Sequence, residues 1–224
     1  MSPDIVEALV KTIELKDQST AAHTWRVVLY ARALAEKAGM PRDFIARLTV
    51  GAALHDVGKI DIPDHILQKP GKLTDEEFEV IKSHTSLGHD RLKRMGEDDP
   101  VVLELVRHHH ERIDGKGYPD RLQGDSIPVV AKYFAVIDTF DALTSFRPYR
   151  KEVGEAAAEK ALVELNDCIG SRYDPAAVGL FTELYRAGAL EWILHYFNDN
   201  NGQLPPITEM PKVHGIAESI RARV

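Results

Sequence analysis

Cysteine is almost missing from the 224 residues: Cys168 stands alone, so no internal disulfide can form and the fold must be held by its core. A reducing compartment, the cytoplasm, is the expectation. Positive charge is in deficit, with 28 Lys and Arg against 35 Asp and Glu and a formal net charge of −7. With no excess of cations to displace phosphate counterions, broad binding to long nucleic acid is excluded, whereas one basic pocket for a small anion is not. Nowhere do about eighteen uncharged apolar residues run together, and Met1-Ser2-Pro3-Asp4 lacks the basic stretch and apolar core of a leader, so no membrane partner is expected. Alternating strand patterns, internal repeats and low-complexity segments are also lacking.

What is present is helical spacing in a chain that is 44% hydrophobic, enough for one substantial core. Ile5, Leu9 and Ile13 share a face after Pro3, and a second helix from about Thr20 to Lys37 aligns Val27, Tyr30 and Leu34 with His23. A third begins near Pro41 and carries Ile45, Leu48 and Ala52 toward His55, where Gly58 breaks it. Thr74-Asp75-Glu76-Glu77 reads as a capping box opening a helix to about Leu92. Further helices are expected over Pro100–His110, Val129–Ser145, Gly154–Ile169 and Pro175–Ala187, the last capped by Asp174. Glycines and prolines from Asp114 to Pro128 predict an irregular loop. The expectation is an all-α helical bundle, with a short helix through Trp192 and Phe197 and a tail after it.

Histidine is the abundant exception, with ten in all and eight between His23 and His110. His55-Asp56 sits where an apolar stripe runs into glycine, so both side chains should point inward. Alone the pair is weak evidence, since a buried His–Asp hydrogen bond that fixes a helix end is the commoner occurrence. The same chemistry recurs at His23, His84, His109, His110 and Asp138, each on or beside a predicted inner face. So many unpaired polar groups in a core would be costly, and a metal removes that cost. Helical bundles build metal sites from inward His and carboxylate groups on facing helices.

His55-Asp56-Val57-Gly58-Lys59-Ile60, His84-Thr85 with Gly88, His109-His110-Glu111, Asp114-Gly115 and Gly117-Tyr118-Pro119 resemble the signature of the HD-GYP family, in its usual order. Asp17, Thr20, His23, Asp138 with Asp141-Ala142-Leu143, Arg147-Pro148-Tyr149-Arg150 and Tyr173-Asp174-Pro175 extend the match over roughly residues 5–187. The resemblance implies an HD-type bundle with its metal site in the core over residues 1–187, followed by a C-terminal helix and tail over 188–224. It implies that His23, His55, Asp56 and Asp138 hold one divalent ion, and that Asp56 as a bridge with His84, His109 and His110 holds a second. Iron is favoured, with manganese or zinc as alternatives. Ser19 stands where three-metal relatives carry Glu, so two ions are expected, although Asp17 or Glu14 nearby could complicate that number.

The implied reaction is hydrolysis of cyclic di-GMP by a metal-bridging hydroxide, giving linear pGpG, with GMP the alternative end product. Asp56 and Lys59 would be its catalytic residues, and Lys59, Arg147, Arg150, Gly117, Tyr118 and Pro119 its substrate-binding residues. Glu111 and Asp114 would orient histidine ligands. His65, His89 and His108 fall outside the ligand positions, and His195 and His214 outside the resemblance. GGDEF-type diguanylate cyclase domains docking on the GYP loop, and a second copy in a homodimer, are the implied partners. The alternatives are an HD hydrolase of another nucleotide and a binding module with little turnover.

Overall fold

Repetition of buried apolar residues at three- and four-residue spacing winds most of the chain into α-helices. The computed structural model describes residues 1–17, 21–145 and 155–198. Ser19, Arg147, Arg150 and His214 lie outside the described residues. The helices are α1 (Pro3–Lys16), α2 (Ala21–Lys37), α3 (Arg42–Leu54), α4 (Asp64–Leu67), α5 (Asp75–Lys82), α6 (His84–Arg94), α7 (Pro100–His108), α8 (Val129–Thr144), α9 (Glu155–Asp167), α10 (Pro175–Arg186) and α11 (Glu191–Asn198). Single 3₁₀ turns cover Val57–Asp61 and Gly124–Ser126. Among the described residues there is no strand, and no helix long and apolar enough to cross a membrane.

The all-α expectation therefore holds, with local differences. Helix α1 buries Val6, Leu9, Val10 and Ile13, while Ile5 is 40% exposed, so its inward face is rotated from the expected one. The helix expected from Thr74 to Leu92 divides at Ser83, whose hydroxyl donates to the Val80 carbonyl at 2.6 Å and competes with the helical ladder there. Helix α7 ends at His108, just short of the expected end at His110. The capping box is present: Thr74 Oγ1 accepts from the Glu77 amide and Glu77 accepts from the Thr74 amide. Asp174 caps α10 as expected, accepting from the amides of Ala176 and Ala177.

Helices α2, α3, α7 and α8 pack on one another around the apolar core, with α10 and α11 against α2. Tyr30 of α2, Phe140 of α8 and Phe181 of α10 are fully buried and meet edge-on or tilted at centroid separations of 4.8–5.9 Å. Each such pair contributes roughly 0.5–1.5 kcal/mol beyond its area. Leu190, Ile193 and Leu194 join the same core, so α11 is continuous with the bundle.

Gly58 decides how closely the His55-Asp56 turn can approach α6. A β-carbon there would stand 1.9 Å from the His84 carbonyl oxygen and 2.5 Å from the Gly88 nitrogen, so only glycine permits this contact. Gly58→Ala is expected to destabilise the protein by about 3 kcal/mol, since the obstacles are backbone atoms. At exposed Gly179 in α10 an added methyl would meet nothing within 4 Å, and Gly179→Ala should stabilise by about 0.5–1 kcal/mol. Urea denaturation of both variants checks the pair, and equal effects would contradict the assigned contact.

Candidate metal centre

A backbone carbonyl can only accept a hydrogen bond, and that fixes where the protons sit on three histidines. His55 Nδ1 donates to the Ala52 carbonyl at 2.8 Å, His84 Nδ1 to that of Ile81 at 2.7 Å, and His109 Nδ1 to that of Val106 at 3.0 Å. His23 Nδ1 donates instead to the Asp141 carboxylate at 2.8 Å. In all four rings Nδ1 is the donor, and Nε2 is left as a lone pair turned inward.

Those lone pairs face one another. His23 Nε2 lies 3.3 Å from His55 Nε2, and His84 Nε2 lies 3.2 Å from His109 Nε2. Two acceptors at that distance repel unless a cation lies between them. A second proton on one ring is opposed by burial: His84 is lowered and His109 held well below the ordinary imidazole value, burial being the main cause in each. His110, its ring 4.2 Å from that of His109, is pushed down to about 4, again mainly by burial. His55 behaves differently: burial lowers it, but the Asp56 and Asp138 carboxylates and the hydrogen bond to Ala52 together raise it.

Two groups of metal-ligating atoms result, His23 with His55 and Asp56, and His84 with His109 and His110; within each, one atom per residue lies within 4.8 Å of the others. Asp56 joins them, with Oδ2 3.2 Å from His55 Nε2 and Oδ1 3.4 Å from His84 Nε2. Burial raises its pKa, but His55, Lys59 and His84 hold it well below the usual carboxylate range, so it is ionised. This donor set of imidazole nitrogens and an ionised carboxylate fits a divalent metal such as iron, manganese or zinc.

Asp138 stands beside the first group, 3.5 Å from His23 Nε2, and lines the adjoining cavity. Lys59 is not among the lining residues of that cavity: its ammonium pairs with Asp56 at 2.9 Å and with Asp17 at 3.1 Å. It offsets the charge of the Asp56 carboxylate. His108 faces Asp120 at 3.0 Å, His89 pairs with Asp90, and His65 is exposed.

Glu111 and Asp114 do not touch the histidine rings as expected. Glu111 accepts from the amides of Asp120 and Leu122, and Asp114 takes the Arg112 guanidinium and the Lys116 amide, so both carboxylates shape the loop after α7. The reason is local: α7 ends before Glu111, which turns its side chain from the bundle axis toward the loop. In that loop Gly117 lies against the backbone of Glu111 and Arg112, where a β-carbon would be 2.4 Å from the Arg112 nitrogen. Tyr118 stacks on His110 at 4.8 Å, and burial keeps its phenol protonated.

Sequence reasoning missed Asp141 as an orienting group and Arg26 entirely. Asp141 is fully buried on α8 and binds His23, the Arg26 guanidinium and the Ser145 hydroxyl. Burial would raise Asp141, yet Arg26 and His23 hold it below the carboxylate range. The available signal was spacing: Arg26 follows His23, and Asp141 follows Asp138, by one helical turn.

A cavity of about 900 Å³ opens over the second histidine group, lined by His109, His110, Tyr118 and Asp138 and by side chains of α5 and the loop after α7. A family model described as the HD domain matches residues 7–177. This chain belongs to the HD domain family. Among curated relatives, the HD domain chain is 40% identical over 184 residues to a cyclic di-GMP phosphodiesterase of Thermotoga maritima, covering 81% of this chain and 49% of that protein. It is 37% identical over 183 residues to the 3'3'-cGAMP-specific phosphodiesterase 2 of Vibrio cholerae, covering 81% and 34%. The chain thus spans half or less of the length of these relatives. A solved structure of the cyclic GMP-AMP-specific phosphodiesterase V-cGAP3 of Vibrio cholerae superposes with a TM-score of 0.63 at 15% identity, over 98% of this chain and 58% of that one, and supports the HD fold.

Asp141→Asn keeps the shape but turns an accepting oxygen into a donor or weakens its charge, so His23 loses its anchor. Metal affinity should fall about 10–100-fold, measured by competition with a chromophoric chelator. Parental affinity in a folded variant would show that His23 needs no such partner.

Proposed function

We propose that this HD domain hydrolyses a phosphodiester bond of cyclic di-GMP, giving linear pGpG and then GMP. The observation that carries the reading is Asp56, which touches both histidine groups beside a cavity large enough for a nucleotide ligand. His23, His55, Asp56 and Asp138 would hold one divalent ion, and Asp56, His84, His109 and His110 the other, with iron favoured. Two such ions supply Lewis acidity to the phosphoryl oxygens and an acidified water near neutral pH.

The residues of the chain do the rest. Asp56 stays ionised because Lys59 and two histidines surround it, so at ordinary pH its carboxylate would be available to both ions. Tyr118 presents a protonated phenol on the cavity wall, and the Lys82 ammonium lies 5.8 Å from its ring. This would place a donor and a cation near the incoming diester. Arg147 and Arg150, carried over from the HD-GYP resemblance, would contact the distal phosphate or a guanine edge.

The test is anaerobic purification, elemental analysis and chromatography of products from cyclic di-GMP and 3'3'-cGAMP. Two ions per chain and faster turnover of cyclic di-GMP are expected; preferential turnover of the mixed dinucleotide would reassign the substrate. Asp56→Ala should lose metal from both groups and lower kcat/KM by at least about 100-fold. Full metal content with parental activity would show that Asp56 is no bridge.

A further inference from the structure

The cavity has a second wall whose cations, Lys82 apart, the proposed chemistry leaves unused. Lys82, Arg112, Lys116, Arg121 and Arg172 stand along the lining. Three of them are already matched: Lys82 with Glu79, Arg112 with Asp114 through two hydrogen bonds, and Arg172 with Glu164 at 3.6 Å. The side chains of Lys116 and Arg121 form no hydrogen bond or ion pair with the described residues. Both belong to the loop after α7, whose arms are closed by pairing of Asp114 with Gln123. Two cations outside any ion pair with the described residues therefore line a cavity that adjoins the metal-ligand groups.

Arg121 is also held in a costly conformation. Its φ of 54° lies in the left-handed region, which glycine enters freely and residues with a β-carbon enter at a cost. Among the described residues it is the one non-glycine found there. Glu111, 4% exposed, accepts from the Asp120 amide at 2.7 Å and the Leu122 amide at 3.0 Å, so one buried carboxylate pins the chain on both sides of Arg121. Its surroundings over-determine the strain, and the result is an exposed guanidinium on the cavity rim.

We infer that Arg121, assisted by Lys116, is an anion subsite that binds the phosphate of the substrate remote from the metal-ligand groups. The inference rests on the phosphodiesterase reading above. A cyclic dinucleotide has two phosphodiesters, and when one lies at the ligand groups the other needs positive partners elsewhere in the cavity. A guanidinium meets a phosphate with two parallel hydrogen bonds, and here it forfeits no existing ion pair to do so. This assigns the remote phosphate to the loop arm and leaves Arg147 and Arg150 the guanine edge. Glu111 then acts as a positioning residue, through the backbone of Arg121.

The test compares the parent with Arg121→Gly and Arg121→Lys in metal-loaded full chain, using cyclic di-GMP and the small diester bis(p-nitrophenyl) phosphate. Arg121→Gly should raise KM for cyclic di-GMP about tenfold or more while kcat stays within about twofold, because contact with a non-reacting phosphate is uniform binding. Its effect on the small diester should be at least about fivefold weaker, and its melting temperature no lower than the parent's, since glycine takes that φ freely. Arg121→Lys should recover most of the lost affinity. A parental KM for cyclic di-GMP in Arg121→Gly, or a loss equal for both substrates, would overturn the inference while leaving the phosphodiesterase reading intact. A parent that cleaves the small diester but no cyclic dinucleotide would overturn the reading, and the inference with it.

Discussion

Four hydrogen bonds from histidine Nδ1 govern this structure. Three end on backbone carbonyls three residues earlier in the chain, and the fourth on Asp141, so the helices themselves choose the tautomer and leave every Nε2 turned inward. The consequence is two pairs of facing Nε2 atoms 3.2–3.3 Å apart, and at His84 and His109 burial opposes a second proton. A core this polar is tolerable only if a cation completes it. Metal affinity and folding free energy are for that reason linked in this domain.

The remaining features bring those rings together. Gly58 lets the His55-Asp56 turn press on the backbone of α6, which carries His84 to Asp56. The division at Ser83 and the early end of α7 are departures from regular helix at the positions where His84 and His109 must turn inward. Arg26 and Asp141 form a buried ion pair whose Coulombic gain offsets a large desolvation cost, and its use here is to hold His23. Beyond the histidines, Glu111 spends its two oxygens on loop amides, shaping the cavity rim.

The helices were legible because their signals are local. Val27, Tyr30 and Leu34 recur at helical spacing and are buried, and the Thr74 capping box and Asp174 cap were read from residue type alone. The convergence of His23, His55, Asp56, His84, His109 and His110 was legible through motif order and inward faces. What the sequence concealed depends on backbone direction at helix ends. Glu111 turns toward the loop because α7 stops at His108, and the 3₁₀ turn after Asp56 brings Lys59 into ion pairs with both Asp56 and Asp17. Nor could spacing show that Asp141 lies 2.8 Å from a ring 118 positions earlier. The left-handed backbone at Arg121 carried no residue-level signal, since its usual marker is glycine.

The most direct measurement is long-range ¹H–¹⁵N correlation of the imidazoles, before and after addition of diamagnetic zinc to chelator-treated protein. The account predicts Nδ1-protonated tautomers for His23, His55, His84 and His109 in the metal-free protein, and zinc-dependent shifts in those four rings larger at Nε2 than at Nδ1. Rings protonated on Nε2, or Nε2 resonances unmoved by metal, would contradict it.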